Sequence, residues 1–244
     1  MTRPTDRLYQ TDTVPEDFDF NERVVEVFDD MLDRSIPFYQ SVIAETAKLL
    51  AAELAPGDTV CDLGCSTGTT LLHLARELAD QDLQFVGADS SPAMLEKARL
   101  KAEFYAKDRR IEFKQQDITD LTLPDTGAFI LNYTLQFIRP VQRQSLINRV
   151  FANLRPGGIL ILSEKTILPD KRVNRTFIDI YHRFKKEQGY SDLEIARKRE
   201  ALENILIPFS VDENRAMLTQ AGFNPAVSFF QWFNFSSFIA VRPH

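Results

Sequence analysis

Apolar positions change their period along this chain in a regular order. Thr59-Val60-Cys61-Asp62-Leu63 is a short apolar and β-branched run, and the segment after it places Leu71, Leu72, Leu74, Ala75 and Leu78 on one helical face. The exchange then repeats. Strands are predicted near 59–63, 84–88, 111–114, 128–132 and 159–164, and helices near 68–79, 92–106 and 140–154. Pro156-Gly157-Gly158 is expected to break the last of these helices. Two more helices are predicted ahead of the first strand, over 21–34 and 36–54, with Pro37 starting the second. Repeated βα units imply a mostly parallel sheet with helices on both faces.

Beyond residue 165 the pattern changes. Residues 171–221 read as helical and charged, without a strand, and 226–233 with 235–241 read as an antiparallel hairpin. The stretch 165–210 is therefore expected to be a helical insertion before the last helix and hairpin, serving as a lid or a dimer arm. The whole chain, 1–244, is expected to be one α/β domain with a helical N-terminal segment over 18–54.

The first strand ends in chemistry. Gly64 and Gly68 lie four positions apart in the loop between strand and helix, where glycine lets backbone approach a ligand without a Cβ. Asp62 stands at the strand's carboxyl end. The next strand, Phe85-Val86-Gly87-Ala88-Asp89, also ends in a carboxylate, 21 positions after Gly68. That is the distance at which an acid reaches ribose hydroxyls in a nucleotide-binding βαβ unit. Such an acid would repel a 2′-phosphate. The competing reading makes Asp89 a helix cap, a role that Ser90 or Ser91 before Pro92 could fill instead. A glycine pair alone is common in turns.

Composition narrows the class. A hydrophobic share of 44% with 26% charged residues suits a globular protein, and no apolar run approaches the ~20 residues of a membrane helix. Met1 to Phe20 is polar and acidic without an apolar core, which argues against secretion. Cys61 and Cys65 are not spaced as C-x-x-C and have no histidine cluster beside them, so no metal is expected and reduced thiols in the cytoplasm are. The net charge of −6 argues against a dedicated nucleic-acid binder.

The glycine loop, the ribose acid and the closing hairpin resemble the α/β, Rossmann-like class I S-adenosylmethionine-dependent methyltransferase fold, with its mostly parallel seven-stranded sheet. Asp117-Ile118 resembles that family's adenine-binding turn, and Leu154-Arg155-Pro156-Gly157-Gly158 its turn into the fifth strand. A narrower resemblance lies outside those motifs. Val25 to Met31, Arg34 to Tyr39, Leu131 to Phe137, Leu162-Ser163-Glu164-Lys165, His182-Arg183-Phe184-Lys185, Gly189-Tyr190-Ser191, Lys198-Arg199 and Phe230 to Phe235 together resemble the carboxy-S-adenosyl-L-methionine synthase family.

That resemblance implies a transferase that takes S-adenosyl-L-methionine and prephenate and yields carboxy-S-adenosyl-L-methionine and phenylpyruvate. It implies that carbon dioxide released from prephenate is captured by an ylide formed at the sulfonium methyl. It also implies a functional link to a tRNA carboxymethyltransferase acting on wobble uridine, no direct need for nucleic acid or membrane, and a homodimer. Carried over by motif, Gly64, Cys65 and Ser66 would pass the methionine part and Asp89 with Ser90 would hold the ribose, Ser90 departing from the family's usual Asn. Asp117 and Ile118 would hold the adenine, Asn132 would stand beside the reacting carbon, and Tyr39 would touch the ligand.

Arg199 would hold the added carboxylate bidentately; without the resemblance it reads as part of a solvated charged helix face. His182 and Tyr190 are expected on the prephenate side, and Arg23 and Arg34 either bind a dicarboxylate or face water. Two alternatives stay open: a conventional methyltransferase, and a non-catalytic binding module of the same fold.

Overall fold

In the computed structural model, residues 4–10, 21–106, 110–120 and 126–244 are described. The expectations about the first twenty residues, and the start of the N-terminal helical segment at 18–20, lie largely outside that set. Helices α1 (Glu22–Ser35) and α2 (Tyr39–Glu53) precede β1 (Thr59–Leu63), α3 (Thr69–Glu77), β2 (Gln84–Asp89), α4 (Pro92–Phe104) and β3 (Ile111–Gln115). Then come β4 (Thr126–Asn132), α5 (Pro140–Asn153) and β5 (Leu154–Ile167). Helices α6 (Lys171–Glu187) and α7 (Asp192–Leu202) form the inserted arm, followed by β6 (Phe209–Ser210), α8 (Val211–Ala221), β7 (Ala226–Trp232) and β8 (Phe235–Val241).

The main sheet runs β3-β2-β1-β4-β5-β8-β7. Strands β1 to β5 are parallel to their neighbours, and β8 returns antiparallel on β5. The period-2 alternation of these strands sorts their side chains into two cores. Phe129, Leu131, Leu160 and Leu162 face Leu146, Ile147, Val150 and Leu218 of α5 and α8. Ala128, Ile130, Ile159 and Ile161 face the other way, onto Leu50, Leu71, Leu74 and Leu95 of α2, α3 and α4.

Two sequence expectations are corrected. Pro156-Gly157-Gly158 does not separate α5 from the fifth strand. It lies inside β5, because the Gly157 amide donates to the Arg242 carbonyl (2.9 Å) and the Arg242 amide to the Gly158 carbonyl (2.8 Å). The 171–221 stretch does contain a strand, β6, which pairs with Thr166 and Ile167; two residues carry no readable period. The aromatic arm also has a surface to pack on. Phe177, Tyr181 and Phe184 meet Phe233, Phe235 and Trp232 at the tip of the β7–β8 hairpin, with centroids 5.0, 5.1 and 5.6 Å apart.

Candidate active site

Parallel strands place their carboxyl ends along one edge, and the connections leaving that edge enclose a cavity of about 1270 Å³. Drug-sized ligand pockets run to about 1,000 Å³, so there is room for more than one small molecule.

One wall is acidic. After β1 the chain turns under β2: the Gly64 and Cys65 amides both donate to the Ala88 carbonyl (2.8 and 3.1 Å). Gly64 has φ +77°, and a Cβ there would collide with the Thr134 side chain. Gly68 has φ +72° and faces Phe113 and Ala98 closely. These are the two places where the loop requires glycine. Asp89 binds the loop together, its Oδ2 accepting from the Ser66 amide and its Oδ1 from the Ser91 amide (2.9 Å each). Burial raises its pKa and those amides oppose the rise. Ser91, not Asp89, is the N-cap of α4, accepting from the Met94 amide.

Asp62 is buried, and its Oδ1 has no hydrogen-bond partner. Burial, reinforced by the Asp89 charge, pushes its pKa up to about 8. Asp117 lies beyond β3, where its Oδ1 accepts from the Thr119 amide and hydroxyl (2.8 and 2.7 Å). Ile118 is buried beside it, and both line the cavity.

The floor comes from β4. The Asn132 amide donates to Thr70 Oγ1 (3.2 Å), while its buried Oδ1 has no partner and the residue lines the cavity. Tyr133 follows at φ +60°, a conformation a bulky residue adopts only under constraint. Its amide donates to the Ser163 carbonyl (2.7 Å). Buried Tyr39 packs on the Tyr133 ring at 6.2 Å and lines the same space. The turn beyond is held by Glu164, whose two oxygens accept from the Leu135 and Gln136 amides (2.9 Å each). Burial pushes Glu164 up to about 8, against the opposing pull of Arg143 and these amides.

The other wall is cationic. Lys165 at the end of β5, His182 and Lys185 on α6, and Lys198 and Arg199 on α7 all line the cavity. Burial is the main cause that pushes Lys198 down to about 8, where Asp6 opposes the fall. Helix α1 closes the side between the walls. Its Asp29 accepts from Thr67 Oγ1 (2.6 Å), Thr69 Oγ1 (2.8 Å) and Lys101 Nζ (2.9 Å). Its apolar face meets Met94 of α4 and Ala201 of α7.

The cavity thus brings together Tyr39, Gly64, Cys65, Ser66, Asp89, Ser90, Asp117, Ile118, Asn132 and Arg199, with His182 and Arg23 also on its lining. It does not include Tyr190 or Arg34. The Tyr190 hydroxyl donates to Asp6 Oδ2 (2.6 Å), and the Arg34 guanidinium lies 4.0 Å over the Tyr190 ring and donates to the Gln188 carbonyl. Both tie α1 and the turn after α6 to the N-terminal segment around Asp6. Lys165, Lys185 and Glu164 carried no assigned role in the sequence reading. The available signal was an ionisable pair, Glu164-Lys165, ending the apolar run Ile159 to Leu162.

A methyltransferase-domain family model matches residues 60–158. The carboxy-S-adenosyl-L-methionine synthase of Desulfotalea psychrophila is 59% identical over 243 residues, covering 100% of this chain and 99% of its own. That of Wolinella succinogenes is 44% identical over 238 residues, covering 97% and 98%. Among solved structures, an O-methyltransferase family protein from Burkholderia thailandensis superimposes with a TM-score of 0.66 at 19% identity, over 91% of this chain and 60% of that one. Magnesium protoporphyrin IX methyltransferase from Synechocystis PCC 6803, with bound SAH, gives 0.62 at 18% identity over 87% of each. These likenesses show the Rossmann-like methyltransferase fold.

Proposed function

The chain belongs to the carboxy-S-adenosyl-L-methionine synthase family, and from that premise we propose that its cavity seats S-adenosyl-L-methionine (SAM) on the acidic wall and prephenate toward the cationic one. The products are carboxy-SAM, phenylpyruvate and water. The observation that carries this reading is one cavity, large for a single ligand, with carboxylates on one side and cations on the other. A plain methyl transfer has no use for cations near a sulfonium.

On the acidic side, Asp89 Oδ1 and Oδ2 each keep a lone pair for a ribose hydroxyl after accepting one amide, with Ser90 beside them. Asp117 Oδ2 is free of the Thr119 contacts and suits the adenine amine, and the Ile118 amide suits a ring nitrogen. Backbone at Gly64, Cys65 and Ser66 passes the methionine part. Asn132 and Tyr39 stand where the sulfonium methyl would lie. Arg199 grips the new carboxylate with two charge-assisted hydrogen bonds.

In the reaction, the ring carboxylate of prephenate leaves as carbon dioxide and the ring hydroxyl leaves as base. That base takes a proton from the sulfonium methyl and becomes water, and the resulting ylide carbon attacks the carbon dioxide. The protein's part is to hold the partners in register and keep bulk water out.

The product would feed a tRNA wobble-uridine carboxymethyltransferase in the cytoplasm, and the net charge of −6 fits an enzyme that need not touch RNA itself. A homodimer is part of the same proposal. Exposed Phe38 and Phe233 beside the arm support it, and a monomeric mass by light scattering would overturn it.

The test of the reaction is mass spectrometry of the protein incubated with SAM and prephenate. A nucleoside heavier than SAM by one carbon dioxide, with phenylpyruvate alongside, is expected. Accumulation of S-adenosylhomocysteine with a methylated acceptor would replace this reading with a methyltransferase.

A further inference from the structure

The cationic wall contains two lysines that no carboxylate among the described residues neutralises. Lys185 is 6% exposed and lines the cavity. Lys165 stands at the end of β5 on the same lining. Both ammonium groups sit over one aromatic ring, that of Tyr181, at 5.1 Å for Lys165 and 4.9 Å for Lys185. The ring itself is fixed, because the Tyr181 hydroxyl donates to the Ser35 carbonyl (2.9 Å). Among the described residues, no carboxylate lies within ion-pairing distance of either ammonium. Asp6, whose charge acts on Lys185, is already engaged by the Tyr190 hydroxyl (2.6 Å) and by Lys198 (3.6 Å).

Burying a cation without a counter-charge costs several kcal/mol, and a cation–π contact returns only part of it. Burial, with the neighbouring charges of Lys198 and Lys165, pulls Lys185 well below its usual pKa. Burial and Arg199 do the same for Lys165. Such a pair is a site waiting for an anion that arrives from outside.

We propose that Lys165 and Lys185, presented by Tyr181, form a carboxylate subsite for the dicarboxylate co-substrate, separate from the Arg199 grip on the carboxylate being transferred. The inference rests on the reading that the cavity takes SAM together with a second, anionic molecule. Two anchored carboxylates fit two separate cationic groups, so a dicarboxylate is favoured over a monocarboxylate. The subsite fixes the spectator carboxylate that remains in the keto-acid product.

The test separates binding from turnover. Prephenate is titrated calorimetrically into protein saturated with S-adenosylhomocysteine, which lacks the methyl that would react. The proteins are wild type, K185M, K165M, K185R and, as a control on the same helix, K186M. Lys186 is solvent-facing and pairs with Asp192.

K185M and K165M are expected to weaken prephenate about tenfold or more, the loss of one charged hydrogen bond. They should leave SAM affinity within about twofold. K185R should recover part of the loss, and K186M should match wild type. Unchanged prephenate affinity in K185M, or an equal loss for SAM, overturns the subsite. If wild type makes no carboxy-SAM but K185M still loses prephenate, the reaction reading falls and the subsite stands. If wild type binds no prephenate, both fall.

Discussion

Asp62, Asp89 and Asp117 stand on one wall of the cavity; Lys165, Lys185, Lys198 and Arg199 stand on the other. The acidic wall is local. Each carboxylate sits at or just past the end of β1, β2 or β3, and the partners of Asp89 and Asp117 are backbone amides in the turns nearby. The cationic wall is assembled at long range, from the end of β5 and from two helices of the inserted arm. Lys198 pairs with Asp6 (3.6 Å) and donates to Ser35 Oγ (2.9 Å), while Lys165 and Lys185 meet at the Tyr181 ring. Asp89 and Asp117 have their partners without a ligand, whereas Lys165 and Lys185 have no carboxylate partner among the described residues. A local wall serves to position, and one assembled at long range to select.

That contrast can be broken by experiment. The largest effect belongs to the acidic wall. Asp89→Ala should weaken SAM and carboxy-SAM alike, by about 3 kcal/mol for two charged hydrogen bonds. Calorimetry with both ligands checks it, and a loss confined to one ligand would erase the division of labour.

Arg199→Ala comes next. It should cost carboxy-SAM about 1.5–3 kcal/mol while sparing SAM. Equal losses would move Arg199 out of a discriminating role.

A third prediction uses the Asp62 carboxyl, raised to about 8 in the folded protein. A raised acid is stabilising while protonated, so that stability is whole below its ordinary range and is lost as pH climbs toward about 8. Asp62→Asn does not titrate. Its unfolding free energy relative to ligand-free wild type, read from urea unfolding, should therefore improve with pH across that window, by at most ~1.4 kcal/mol per pH unit. A gap that stays flat with pH would show that Asp62 is not held protonated.

The smallest effect is expected at Lys186, whose exposed pair with Asp192 should contribute under about 1 kcal/mol to stability in urea unfolding. A large loss there would blur the line between the solvated and the buried lysines of α6.

The same contrast explains what could be read before the fold was known. Asp89 was legible because its distance from Gly68 is fixed by one strand and one helix, and the α/β order follows from residues such as Ile159 to Leu162 alternating between two cores. Arg199 was readable only through a family resemblance, since its neighbours in sequence make an ordinary charged helix. Lys165 and Lys185 were invisible as a pair: they are twenty positions apart and meet only because Tyr181 docks on the hairpin. The sequence reading expects Tyr190 on the prephenate side and leaves Arg34 open, and neither lines the cavity for the same reason. Their chemistry suits an anion, but tertiary contacts spend it on Asp6 and Gln188.

Helix α1 touches both walls, through Met94 and Ala201, and among the described residues it is fastened to the glycine loop by a polar knot at Asp29. The Asp29–Lys101 pair is partly exposed, with side chains 15% and 20% accessible, and dissolved ions can screen it. If a nucleoside lies beneath α1, its residence time is expected to depend on that fastening more than on the sheet. Raising ionic strength should shorten it in a stopped-flow chase, while the melting temperature of the sheet stays nearly in place.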